Sequence, residues 1–511
     1  MKDANLFTAL RSAFPSDPDR VAIQTADTDQ PLFYTWRDID RGSAMLANLI
    51  DSLDLPPASR VAVQVEKSVE ALMLYLAVLR AGHVFLPLNT AYQAAELDYF
   101  ISNAEPALLV CAPKNFGWLT KLAFQAGTQN VFTLGDDRSG TLLARAAQHA
   151  DTHTPLPREA ADLAAILYTS GTTGRSKGAM LSHGNLLCNA QVLHQAWGWT
   201  ADDVLIHALP IFHVHGLFVA LHGALLAGAR MIWFSRFDPR AVAARLPEAT
   251  VFMGVPTLYG RLLAEPSFTH QSCAGMRLFV SGSAPLLIDT FRAFQQHTGH
   301  TILERYGMSE TVMLTSNPYR PEAARRGGTV GLPLPGVGVR VQGDKGQPLA
   351  AGVTGNIEVK GPNVFKGYWR MPEKTADEFT TDLWFKTGDV GTIDADGYVA
   401  IVGRSKDLII SGGYNVYPAE IESSINELPG VAECAVVGVP HGDFGEAVVA
   451  VVVARPGAAV NAAAVIAALK LQIANFKVPK QVFVVDELPR NTMGKVQKNL
   501  LRDQHKDLFA A

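Results

Sequence analysis

The chain has 511 residues, of which 48% are hydrophobic and 18% charged, and its formal net charge is -4. That length exceeds one simple core and predicts two to four domains, and the composition excludes the disordered and collagen-like classes. The slight acidity, with no basic run, gives no reason to expect a nucleic-acid partner. Cys111, Cys188, Cys273 and Cys434 are far apart and form no Cys-x-x-Cys pair. No zinc or disulfide framework is therefore expected, and a reducing cytoplasm fits.

In chain order, the start MKDANLFTALRSAFPSDPDR is unlike a signal peptide, because Arg11 and several Pro and Asp residues interrupt it. RVAVQV (60–65) reads as a strand, SVEALMLYLAVLRAG (68–82) as a helix ended by Gly82, and HVFLPLN (83–89) as a strand. ALLVC, VLIHAL, ATVFMG and MRLFVSG are further short strands, separated by helical patterns such as PLLIDTFRAFQQHTG (285–299). This alternation predicts an α/β fold of parallel layers. LFVALHGALLAGARMIWF (217–234) is interrupted by His222 and Arg230 and reads as a core helix running into a strand. No run reaches ~18 apolar residues, so no membrane partner is expected. Near 328 the texture changes to short strands with tight turns, including Asp396-Gly397, which predicts a small β subdomain over 328–403. After Arg404 helix and strand patterns alternate again, as a compact α+β unit over 407–511.

LAAILYTSGTTGRSKGAML (163–181) holds seven Gly, Ser or Thr residues between Thr169 and Lys177. Gly174-Arg175-Ser176-Lys177-Gly178 matches G-x-S-x-G, the hydrolase nucleophile pattern, with Ser176 as nucleophile. That pattern needs a sharp strand-to-helix turn, whereas a long loop separates Tyr168 from Ser176 and the helix starts near Ser182. The Walker pattern also fails, since Ser176 precedes Lys177 and Gly178 follows it. A backbone cradle for phosphate, with Lys177 as point charge, and an ordinary solvated loop both stay open on composition.

Further motifs carry a resemblance. YTSGTTGRSKG (168–178) resembles the phosphate loop of the acyl-adenylate-forming superfamily. YGMSE (306–310), GNIEVKGPNVFKGYW (355–369), WFKTGD (384–389), GRSKDLIISGGYNVYP (403–418) and PRNTMGK (489–495) follow in the order of that superfamily. Within it the chain is similar to malonyl-CoA synthetases, through LPLNTAYQAAELDYFI (86–101), ALPIFHVHGLFVA (208–220), SGSAPLLIDTFRAF (281–294), TSNPY (315–319) and NVFKGYWRMPEKT (363–375).

The resemblance implies a large N-terminal domain (1–403), a hinge (404–406) and a small mobile C-terminal domain (407–511), with the active site between the domains. It implies ATP, Mg²⁺ and coenzyme A as cofactor and cosubstrates, and a small carboxylate, malonate, as the acid. The acid would be adenylated with release of pyrophosphate, then attacked by the thiol. Thr169, Ser170, Gly171, Thr172, Thr173, Gly174 and Lys177 would hold the β- and γ-phosphates, with Thr169 also catalytic. Glu310 would be the Mg²⁺ ligand. Tyr306, with Gly307 leaving room, would lie against adenine, and Gly282, Ser283 and Ala284 would form the opposite wall. Glu304, Arg305, Met308 and Ser309 complete the implied nucleotide contacts. Asp389 and Arg404 would bind ribose, Lys406 would be the hinge, and Ser411, Gly412 and Gly413 would line the coenzyme A path. Lys495 would bridge the carboxylate and the α-phosphate, and a lysine acetyltransferase and deacetylase acting on it would be regulators. Arg292, with Ser283, His213, His215 and Met313, would receive the acyl group, Arg292 taking the second carboxylate of malonate. Val312 and Leu314 stand where relatives often carry Asn, so the acyl pocket is expected to be more apolar. A CoA ligase for another short-chain, methylmalonic or aryl acid is the alternative, and a serine hydrolase the remote one.

Overall fold

A computed structural model describes residues 3–28, 30–169, 176–412, 414–491 and 494–509. The chain forms two compact units. The first comprises Met1–Leu286, Thr290–Gly338 and Val359–Phe385, and the second Leu287–Asp289, Val339–Glu358 and Lys386–Ala511. This division differs from the expected boundary at 404–406, and it splits the β subdomain expected over 328–403. Strand pairing is the reason. Phe385–Ile393 pairs antiparallel with Val399–Arg404, in a four-stranded sheet of order 338–342, 355–360, 385–393, 399–404.

The first unit carries two sheets, as the strand–helix alternation predicts. One has six strands, in the order 130–133, 108–111, 60–64, 84–87, 163–169, 177–182, parallel until the last pair. The other has nine, in the order 332–333, 312–316, 303–308, 278–281, 251–254, 204–207, 230–233, 21–25, 33–35. Its central strands are parallel and its edge strands antiparallel. Buried Phe252, Phe279, Phe294 and Tyr259 pack helices onto this sheet.

The predicted helix at 68–82 is Val69–Arg80, capped by the Ser68 side chain and buried on every side. Residues 217–234 are helix then strand, as expected, but the helix opens with a π turn, His215–Leu221, before His222–Ala227 and the strand Arg230–Trp233. The His207 ring at the end of its strand bonds the Gly216 carbonyl through Nε2 at 2.9 Å and so ties down this π turn. Among the described residues no helix is long and apolar enough to cross a membrane. The second unit carries a five-stranded sheet in which Val431–His441 and Gly445–Ala454 form a long antiparallel pair and Gln481–Val485 adds in parallel. Helices Pro418–Asn426 and Ala462–Lys470 cover it, close to the elements read from the sequence.

Candidate active site

Two paired strands, the arms of a hairpin, flank the glycine-rich stretch. Strand Leu163–Thr169 runs antiparallel to Lys177–Ser182 with Thr169 opposite Lys177. The second strand escapes sequence reading because KGAMLS is short and mixed. The helix then starts where expected, with Ser182 and Asn185 capping each other reciprocally. Ser176 thus leads into a strand and not a helix, so the nucleophile-elbow context is absent, and its carbonyl accepts from the Tyr99 hydroxyl at 2.9 Å. Ser170, Gly171, Thr172, Thr173 and Gly174 lie outside the described residues, as does Gly413.

Lys177 does not stand alone at the root of this hairpin. Its Nζ lies 3.1 Å from Glu378 Oε1 and 4.3 Å from the centre of the Tyr368 ring. The Tyr368 hydroxyl donates to Oε1 of buried Glu310 at 3.0 Å. Burial, then the neighbouring Glu310 carboxylate, pushes the Tyr368 phenol well up, so it stays a donor at neutral pH. Lys177 and Glu310 were expected to share a site, and one tyrosine lies between them. Neither Tyr368 nor Glu378 was read from the sequence. Tyr368 lies inside the motif GNIEVKGPNVFKGYW, but a single tyrosine has no spacing that marks it.

Strand Leu303–Met308 turns back into Val312–Ser316 and brings Glu304, Arg305, Tyr306, Gly307, Met308, Ser309 and Glu310 to one place. A Cβ on Gly307 would overlap the Val312 carbonyl, so the return of the chain at this turn requires a glycine here. Val312 closes the turn with a φ of 55°, where Asn sits easily and a β-branched residue is strained. Met313 is buried and Leu314 fully so; the Met313 carbonyl accepts from Asn189 and Asn363.

Glu304 and Arg305 are neighbours on a strand and therefore point to opposite faces. Both are buried. Glu304 Oε1 accepts from the Leu286 amide at 3.2 Å, and Oε2 has no partner among the described residues. Burial pushes its carboxyl up to about 8. Its ordinary value is 4.5, so between about pH 4.5 and pH 8 the folded chain keeps a proton that the unfolded chain has lost. This group's contribution to stability therefore falls as pH rises through that window. The unfolding midpoint is expected to drop between pH ~5 and pH ~8, and less so in Glu304→Gln. Identical profiles by calorimetry would refute the assignment.

Arg305 is the more telling member. Burial brings its guanidinium down to about 9, which leaves it charged at neutral pH. Its Nε and Nη2 have no partner among the described residues. A Cβ on Gly282 would come within 2.5 Å of its guanidinium carbon, so Gly282 is small because Arg305 lies against it. Ser283, with a φ of 72°, places its hydroxyl 3.5 Å from His215 Nδ1. Burial and then Arg305 hold the His215 imidazole well below its ordinary value, and its Nε2 has no partner among the described residues. Ala284 follows Ser283 and is half-buried. His213 is half-buried too, and its Nδ1 accepts from the His215 amide at 3.5 Å. His215 is therefore the histidine beside Ser283 and under the field of Arg305.

Arg292 departs from its expected place. On helix Ile288–Thr298 the residues Phe291, Phe294 and Thr298 face the core, and Arg292 is exposed. One helical step of about 100° separates it from Phe291, which carries it out of the apolar wall.

In the second unit Asp389 and Arg404 are register partners on adjacent strands, with Arg404 Nε 3.1 Å from Asp389 Oδ1. The Asp389 amide donates to Thr387 Oγ1, so the buried aspartate is held from two sides. Lys406 lies in the turn Ser405–Asp407 directly after that strand, and burial, then Arg404, lowers its ammonium to about 8. Ser411 is buried at the end of a short strand, and the Gly412 amide donates to the Phe444 carbonyl at 2.8 Å. Lys495 is exposed, on a turn closed by Asn491, whose Oδ1 accepts from the Lys495 amide at 3.0 Å.

Comparison with known proteins gives one consistent picture. The AMP-binding enzyme family model matches residues 10–369, and that of the AMP-binding enzyme C-terminal domain matches residues 420–495. The chain is 36% identical over 471 residues to a feruloyl-CoA synthase of an Amycolatopsis species, covering 92% of this chain and 93% of that protein. It is 36% identical over 477 residues to a malonate–CoA ligase of Arabidopsis thaliana, covering 87% of this chain and 78% of that protein. The crystal structure of ATP-bound MatB from Rhodopseudomonas palustris matches with a TM-score of 0.96 at 54% identity, over 99% of this chain and 100% of that one.

Proposed function

The chain belongs to the AMP-binding enzyme family, as an acyl-CoA ligase, and from that premise we propose that the acid it activates is malonate. The observation that carries this is Arg305, a buried, charged guanidinium beside Gly282, His215 and Ser283, two of whose nitrogens have no partner among the described residues. An unpaired buried cation is costly, and a dicarboxylic acid supplies the missing anion. Arg305 replaces the exposed Arg292 in this role, and it serves the acyl group where the sequence reading gave it to the nucleotide. A neutral His215 and the Ser283 hydroxyl add hydrogen bonds without a second positive charge.

The other roles follow the family reading. Malonate attacks the α-phosphorus of ATP, pyrophosphate leaves and malonyl-adenylate forms. The thiol of coenzyme A then attacks the acyl carbon, giving malonyl-CoA and AMP. Lys177 and the hairpin hold the leaving phosphates, and Lys495 bridges the carboxylate and the α-phosphate, where two anions must approach. Tyr306, Gly307, Met308 and Ser309 hold adenine, and Asp389 with Arg404 holds ribose. Ser411 and Gly412 line the coenzyme A path. Glu310 suits Mg²⁺, since a single buried hard-oxygen ligand beside substrate phosphates is how that ion is usually held. The ion would neutralise charge on the phosphates. The four free cysteines accord with the reducing cytoplasm we assign to it.

The test is a panel of acids with ATP, Mg²⁺ and coenzyme A, reading thioester and AMP by mass spectrometry. Thioester chiefly from malonate is expected. Preference for acetate, butyrate or 4-coumarate would remove the dicarboxylate reading and leave the ligase. Gly282→Ala is expected to fold, because the atoms nearest the new methyl belong to the far end of the Arg305 side chain. It should raise the KM for malonate by roughly tenfold or more through misplacement of the guanidinium, and steady-state kinetics measure this.

A further inference from the structure

Tyr368 joins two groups to which different tasks are assigned above. Its hydroxyl donates to Glu310, and its ring lies beneath the Lys177 ammonium. The side chain is 3% exposed, and its backbone is fixed from both directions. Tyr368 forms an antiparallel bridge with Ala179 of the hairpin strand. On either side of it the Trp369 amide donates to the Gly178 carbonyl at 2.7 Å and the Met180 amide to the Gly367 carbonyl at 3.0 Å. The Phe365 amide donates to the Glu310 carbonyl at 2.8 Å, and the Phe365 ring meets Tyr368 edge-on at 4.8 Å. Hairpin, tyrosine and Glu310 are therefore one connected piece, in which the ring and the hydroxyl cannot shift independently.

We infer that Tyr368 is a positioning residue for nucleotide binding: its hydroxyl orients the Glu310 carboxylate for Mg²⁺ while its ring holds the Lys177 ammonium at the hairpin root. A carboxylate hydrogen-bonded by a fixed hydroxyl keeps one orientation, which is what a metal ligand needs. The ring face attracts the ammonium and shares it with Glu378, so Lys177 is held in place between two groups. No bond to Tyr368 forms or breaks. The inference rests on the roles proposed for Glu310 and Lys177.

Isothermal titration of ATP into the full chain, with Mg²⁺ and with chelator, tests it without requiring turnover. Tyr368→Phe keeps the ring and loses the hydroxyl, so the gain in ATP affinity from Mg²⁺ is expected to shrink roughly tenfold while metal-free affinity stays near that of the parent. Tyr368→Leu is expected to weaken metal-free binding as well, by roughly threefold. If both variants keep the parent's affinities while Glu310→Gln loses the Mg²⁺ gain, the coupling is overturned and the metal reading stands. If Glu310→Gln also keeps the gain, the metal reading fails and the coupling falls with it. Tyr368→Phe, which preserves the packing, decides the question should Tyr368→Leu not fold.

Discussion

Lys495→Ala is expected to slow acyl-adenylate formation by ~10²–10³-fold while thioester formation from supplied acyl-adenylate continues. The two half-reactions separate because only the first brings two anions together. Lys495 stands on a turn whose backbone is pinned twice: the Asn491 amide donates to the Lys495 carbonyl at 2.9 Å, and the Gly494 amide donates to the Asn491 carbonyl at 2.9 Å. The base of the side chain is thus fixed, while the ammonium is carried at the end of four rotatable bonds, a length that suits a charge reaching between substrate groups. Lys495→Arg retains charge but not shape and should recover part of the rate. Lys495→Gln removes the charge, as acetylation there would, and should match the alanine variant. Pyrophosphate release and the thiol half-reaction, measured separately, decide the matter. Unchanged pyrophosphate release in Lys495→Ala would remove the residue from the chemistry.

The second large effect has two signs. Arg305→Met should lower kcat/KM for malonate by ~10²–10³-fold, since the distal carboxylate would lose its partner inside a buried site. It should leave activity with a monocarboxylate such as butyrate comparatively unharmed. The same change should make the unliganded protein more stable by a few degrees, roughly 2–4 °C per kcal/mol recovered, because an uncompensated buried charge is removed. A residue retained for packing would not behave in this way, since its loss would lower stability and activity together. Equal losses with malonate and butyrate would count against Arg305 as the receptor of the second carboxylate.

Much of the fold was legible because local chemistry and periodicity agreed. Ser68 and Ser182 each stand before a helix and each caps it, and runs such as ALLVC and MRLFVSG became strands. The Lys177–Ser182 strand was hidden because its partner lies on the far side of a glycine-rich stretch of sequence, and such a stretch reads as an approach to a helix. The cation proposed for the acyl group was harder to read. Arg292 was placed there by the resemblance alone, and its helix carries it into solvent, as spacing by itself favours. Arg305 was read only as a nucleotide contact; strand alternation sends adjacent Glu304 to the opposite face, and two guanidinium nitrogens have no partner among the described residues. Sequence neighbours do not report which face a side chain takes. Tyr368 was invisible for a related reason, since its two partners, Lys177 and Glu310, lie far from it in sequence.

The two sheets of the first unit also impose an order on biosynthesis. Every strand of the six-stranded sheet lies between residues 60 and 182, so that sheet has all its material once this stretch has left the ribosome. The strand Val21–Thr25 emerges earlier, yet its parallel neighbour is Arg230–Trp233, more than two hundred residues later. A chain made from its N-terminus must therefore carry this apolar strand with only the short Phe33–Thr35 beside it until well after the smaller sheet can close. Contacts of such sequence separation form slowly, and an unpaired strand edge invites association with other chains. The nascent protein is thus most exposed to aggregation at its first strand, and a chaperone that shields the N-terminal segment during translation would raise its yield more than one acting on the finished chain.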